Sequence, residues 1–126
     1  MKTIIKTNNA PQAIGPYNQG IITSQLIFLS GQIPFDSNGN LISDDIKKQT
    51  NQCLTNLENV LKAELLDKNN IVKTTIFLKD MNDFFLVNEE YSAFFKDTIY
   101  PARSTVEVKR LPKDVKIEIE AIAVKE

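Results

Sequence analysis

Two positions near the end of this 126-residue chain carry the residue types best suited to chemistry. Arg103 follows Pro101 in the segment PARS, so it opens a strand in a rigid setting, and its planar fork can hold a carboxylate through two parallel hydrogen bonds. That points to an anionic small molecule. Glu118 stands in VKIEIEAIAV; a glutamate in a partly dry cleft can orient or deprotonate water, or donate a proton when its pKa is raised. The pair permits a hydrolysis that uses neither a metal nor a covalent nucleophile. Tyr17, after the Gly15–Pro16 turn, and Ser30 with Gly31, at a strand end, would add a phenol, a hydroxyl and a close backbone approach. Plainer readings stay open. An Arg and a Glu on strand faces can be a solvated pair worth about 0 to 1 kcal/mol. Tyr17 can be packing, Ser30 and Gly31 strand termination, and Asn88 a solvated helix position.

Composition narrows the alternatives further. The sequence has no His and a single Cys, Cys53, which excludes a Ser-His-Asp triad, a Cys-His pair and an imidazole-bound metal. Cys53, flanked by Gln52 and Leu54, has no activating cation beside it and reads as a small core residue. Fifteen Lys and Arg against sixteen Asp and Glu give a net charge of −1 with the signs interspersed, so nucleic acid is disfavoured as a partner. No apolar run exceeds four residues, far short of the about 20 that span a membrane, and Ile4–Ile5 is too short for a secretory core. The expectation is a cytoplasmic protein whose mature chain starts at Met1. Length and an apolar content of 42% fit one domain over residues 1–126.

The elements that must position these residues follow from periodicity. Residues 2–7 form a short first strand, 8–17 an irregular segment broken by Pro11, Gly15 and Pro16, and 19–23 with 26–31 a hairpin. Ile46, Cys53, Leu54, Leu57, Val60, Leu61 and Leu65 recur at spacings of three and four, which predicts a helix from an N-cap at Ser43 to about Leu66. A strand at 71–78 and a second helix at 83–96 follow, its aromatics from Phe84 to Phe95 assigned to the core. Strands at 103–111 and 115–124, joined by a turn at 112–114, close the chain. Alternation in the last strand sends Val115, Ile117, Ile119, Ala121 and Ala123 under the helices and Lys116, Glu118, Glu120, Ile122 and Val124 to the opposite face. The same reasoning in the preceding strand puts Val106 and Val108 in the core and Arg103, Thr105, Glu107 and Lys109 outside. Arg103 and Glu118 would then share the face away from the helices. Ile122 and Val124 on that face suggest packing against another subunit.

Several segments together resemble the Rid (reactive intermediate deaminase) family, closely its RidA-type members: APQAIGPYNQG (10–20), SGQIP (30–34), IVKTTIFLKDMNDF (71–84) with VNEEY after it, and PARSTVEVKRLPKDVKIEIEAIAV (101–124). The most specific part is the closing pair of strands, read as a hairpin, where Arg103 and Glu118 fill the two signature places. The resemblance implies an α+β, chorismate-mutase-like fold of the bacillus type: a mixed sheet with two helices on one face, assembling as a homotrimer around a barrel-like core with clefts between subunits. It implies hydrolysis of 2-imino acids such as 2-iminobutanoate and 2-iminopropanoate to 2-oxo acids and ammonia, with no metal or cofactor. Arg103 would clamp the substrate carboxylate and Glu118 activate the water. The backbone at Thr105 and Gly31 would hold the imine nitrogen and its neighbours, and Tyr17, Ser30 and Asn88 match pocket positions. Thr105 stands where many relatives have cysteine; a backbone role there survives the change, while a thiol-dependent side activity of such relatives does not carry over by resemblance. Two alternatives accompany this reading, a small-molecule-binding regulatory trimer without turnover and a ribonuclease; for the latter, the charge and the lack of His leave neither an electrostatic footprint nor the usual acid and base.

Overall fold

The computed structural model describes residues Met1–Glu126 and contains the expected order of elements. Its strands are β1 (Lys2–Ile5), β2 (Gly20–Thr23), β3 (Leu26–Gln32), β4 (Ile71–Leu78), β5 (Ala102–Glu107) and β6 (Ile117–Val124). The helices are α1 (Ile46–Lys62), between β3 and β4, and α2 (Phe84–Phe94), between β4 and β5. The strands form one mixed sheet in the order β1-β2-β3-β6-β4-β5. Only β4 and β5 run parallel, as the α2 crossover between them requires. Both helices lie on one face of the sheet. There Leu54, Leu57 and Leu61 of α1 and Val87 of α2 are fully buried with Ile27, Ile76, Leu78, Ile117 and Ile119. Truncating one such leucine to alanine costs about 2–5 kcal/mol.

Two expectations fail here. The closing strands are not a hairpin, because β4 lies between β5 and β6. β6 alternates fully buried apolar residues and sits centrally, whereas β5, with polar and charged residues, takes the edge. The chain passes between them through a turn at Pro112–Asp114, where Lys113 and Asp114 have left-handed φ of 58° and 56°.

The second failure concerns faces. Register sets Arg103 beside Thr74, Thr105 beside Ile76 and Glu107 beside Leu78, and the same β4 residues pair with Ala121, Ile119 and Ile117 of β6. Directly paired residues share a face, so Arg103, Thr105 and Glu107 point to the helix side. Val106 points to the outer face and is 42% exposed. Val108, also assigned to the core, lies just past β5 and is half-buried. A one-residue change of parity exchanges every side chain of a strand between faces, and on this short edge strand pairing with β4, not apolarity, fixes the parity.

The helix ends also shift. Asp45, not Ser43, caps α1, its carboxylate accepting from the Lys48 N–H at 2.9 Å. The Ser43 hydroxyl accepts from the Asp45 N–H one step earlier. At the other end Leu65 adopts φ 60° as the Leu66 N–H turns back to the Leu61 carbonyl, and Leu65 leaves the apolar stripe for solvent. Phe95, just past α2, is buried, but Phe85 within it is 71% exposed, so that aromatic run is not all core.

Candidate active site

The Arg103 side is built by α2. Phe84, Asn88 and Tyr91, spaced four and three apart, lie on one helical face above β5. The guanidinium carbon of Arg103 lies 4.9 Å from the centre of the Tyr91 ring and 5.4 Å from that of Phe84, and its Nη1 donates to Asn88 Oδ1 at 2.8 Å. Tyr91 is itself fixed by a 2.7 Å hydrogen bond between its hydroxyl and that of Thr74, and burial holds its pKa above the ordinary value. Nε and Nη2 of Arg103 have no acceptor within the chain. They are free for a carboxylate. The open cleft in front of the guanidinium, about 360 Å³, is lined by Asn88, Tyr91, Ser92, Tyr100, Pro101 and Arg103.

β5 adds backbone groups. Alternate residues of a parallel strand direct both N–H and C=O to the same side. The N–H of Val108 reaches the Leu78 carbonyl of β4 at 2.8 Å, so by parity Arg103, Thr105 and Glu107 present theirs along the free edge. The Thr105 hydroxyl is buried with no hydrogen-bond partner.

The Glu118 side lies on the opposite face. β3 pairs Leu29 with Ala121 and Gln32 with Ile119, so Ser30 and Gly31 together span the place of Glu120, a bulge in β3. Gly31 is therefore inside β3, not at its end. The Glu118 carboxylate fills the space over Gly31, where a Cβ would come 2.0 Å from Oε2. Burial, and then the neighbouring Glu120, raise the pKa of Glu118 above the ordinary carboxylate value. The Ser30 hydroxyl donates to the Asn18 carbonyl and its N–H to that of Gln19, which ties the loop carrying Tyr17 to β3. Tyr17 is half-exposed beside a hollow of about 130 Å³.

Of the predicted site residues, the structure thus brings Arg103, Asn88 and Thr105 together and, separately, Glu118, Gly31, Ser30 and the Tyr17 loop. Arg103 and Glu118 do not share a face. They stand two strands apart, roughly 10 Å, and three residues apart along the sheet, again roughly 10 Å, with the sheet between them.

A family model described as endoribonuclease L-PSP matches residues 7–125. A 2-iminobutanoate/2-iminopropanoate deaminase of Salmonella typhimurium is 51% identical over 99% of both chains. The crystal structure of a Rid family protein, YyfA of Yersinia pestis, superposes with a TM-score of 0.96 at 49% identity, covering 99% of this chain and 100% of that one. The chain belongs to the Rid family. Another solved relative, Escherichia coli TdcF with bound serine, gives a TM-score of 0.94 at 46% identity over 98% of this chain and 99% of that one.

Within this Rid chain, sequence reasoning missed the two rings under Arg103 and the cleft residues Ser92 and Tyr100. The spacing of Phe84, Asn88 and Tyr91 was a usable signal; Tyr100, one residue before the PARS segment, carried none. Cys53 plays no part in the site: it is fully buried, donates to the Ile117 carbonyl at 3.7 Å, and burial pushes its thiol pKa well up.

Proposed function

We propose that the chain is an imine deaminase that hydrolyses 2-imino acids and their enamine tautomers to 2-oxo acids and ammonia, each active cleft lying between two subunits of a homotrimer. The separation of Arg103 and Glu118 carries this reading, because one chain cannot offer both to one small substrate and two copies can. The name of the Salmonella relative supports the reaction. The serine bound to TdcF, an amino acid with a free carboxylate, supports an Arg-held acid.

The outer sheet face supports the assembly. One row across it reads Ile4, Ile21, Phe28 and Ile122, followed by Leu26 beside Val124 in the next. Phe28 and Leu26 are 42% and 43% exposed, an apolar band that a second subunit would cover. In the chorismate-mutase-like trimer these faces line a barrel-like core. Cytoplasmic residence completes the proposal; no helix is long and apolar enough to cross a membrane.

In each cleft Arg103 holds the substrate carboxylate through Nε and Nη2 while Asn88 and the two rings keep the fork in place. Glu118 of the partner subunit takes a proton from water as the water oxygen bonds to the imine carbon and the C=N π electrons move to nitrogen. That proton passes to the nitrogen to give the carbinolamine; the carboxylate then takes the carbinolamine O–H proton and delivers it to the amine nitrogen as the C–N bond breaks, so ammonia leaves as the carbonyl forms. The free backbone groups at Thr105 and those at Gly31 hold the imine nitrogen and its neighbours, with Tyr17 and Ser30 closing the pocket. The test couples a dehydratase that generates 2-iminobutanoate to this protein and follows 2-oxobutanoate release. Release well above the spontaneous rate is expected; an unchanged rate rejects the assignment.

A further inference from the structure

We infer that Gly31 is a positioning residue, its missing side chain being the seat that holds the Glu118 carboxylate in place for catalysis. This rests on the deaminase reading and assigns Gly31 a role apart from any backbone contact with substrate.

A glycine in a strand usually answers a backbone demand, a left-handed φ or a tight turn. Neither applies here. Gly15 and Gly39 have positive φ, whereas Gly31 does not, and Gly31 lies within β3 and not at a chain reversal. The three atoms nearest to an added Cβ all belong to one side chain: Glu118 Oε2 at 2.0 Å, its Cδ at 2.9 Å and its Cγ at 3.2 Å. Gly20 differs. A Cβ there would press on Ile5 and Leu29 of the core at 3.2 Å, so its smallness serves packing. At Gly31 the obstructed group is the far end of a flexible side chain on the outer face, which can swing away at a cost in stability that does not unfold the chain. A methyl group at position 31 would therefore leave a folded protein with the carboxylate in the wrong place. The bulge at Ser30–Gly31 gives the seat its shape, since it brings an extra residue of β3 opposite β6 next to Glu118.

The test is a pair of double-variant cycles. In the first, turnover is compared for the wild type, Gly31→Ala, Glu118→Gln and the double variant. Gly31→Ala should lose about 10²-fold or more, approaching Glu118→Gln, because a general base displaced by an ångström or more loses most of its effect. In the Glu118→Gln background it should cost less than about 3-fold more. Equal losses in both backgrounds would overturn the seat and assign Gly31 an independent contact. The second cycle needs no activity: Gly31→Ala should lower the melting temperature in the wild type but not in Glu118→Ala, where the obstructing carboxylate is gone. A drop of equal size in both backgrounds overturns the proposal even if Gly31→Ala is too unstable to assay. If the wild type itself releases no 2-oxo acid, the deaminase reading fails, and the melting cycle still judges the seat alone.

Discussion

The two halves of the candidate site are built to different degrees. Arg103 is held from three sides within its own chain, by the Tyr91 and Phe84 rings and by Asn88. Glu118 has only Gly31 and a half-buried face of the sheet around it, and no side-chain hydrogen bond within the chain orients it. The guanidinium needs a fixed direction to bind a carboxylate at two points, so the chain pre-orients it. The carboxylate needs a raised pKa and a nearby substrate, and another subunit can complete both by covering the outer face. On the proposed reading, rigid packing serves the half that would bind the acid, and assembly would complete the half that would move the proton.

Neutralising Glu118, the less constrained half, should have the largest effect. Glu118→Gln should slow turnover by about 10²- to 10⁴-fold, as loss of a general acid or base does, with little change in 2-oxo acid affinity. Glu120→Gln, on the same strand and face, is the control; equal damage there would make the charge structural. Arg103→Lys should lower kcat/KM by about 10- to 100-fold, mainly through KM, because a lysine cannot make two parallel bonds or stack on the rings. Steady-state kinetics within a few-fold of wild type would reject the clamp. Asn88→Ala removes one orienting bond of about 1 kcal/mol and should raise KM by about 5-fold without a change in the pH profile. The smallest effect is on stability. The raised pKa of Glu118 means that the folded protein binds this proton more tightly than the unfolded chain does. The melting temperature of the wild type relative to Glu118→Gln should therefore fall as pH rises from the unfolded carboxyl value, about 4.3, through the folded one. A gap that stays constant with pH, followed by calorimetry, would contradict the shift.

The order of elements and the alternation of β6 were legible in the sequence because long apolar periods on central elements are enforced by the core. The helix ends moved by a few residues where capping competed: Asp45 and Ser43 both offer a cap, and Leu65 continues the apolar spacing although the chain has already turned. Parity of β5 was not legible. Its two valines suggested a buried face, yet pairing with β4 turns Val106 outward and Arg103 inward, and rings on α2 make the inward cation tolerable. Nothing local to PARSTVEV encodes that β4 will intervene between β5 and β6. The identities of Arg103 and Glu118 were therefore readable one by one, while their placement on opposite faces emerged only from the topology.

The claim that the two halves meet between subunits is tested most directly by mixing two inactive chains. Arg103→Ala and Glu118→Gln proteins, unfolded together in equal amounts and refolded, would form mixed trimers. In these, a cleft that draws Arg103 from one chain and Glu118 from another is intact about a quarter of the time. The mixture should recover about a quarter of wild-type activity from two nearly inactive parents. Activity no greater than the mean of the parents, with mixed trimers demonstrated by mass, would place both residues in one chain's site and contradict it.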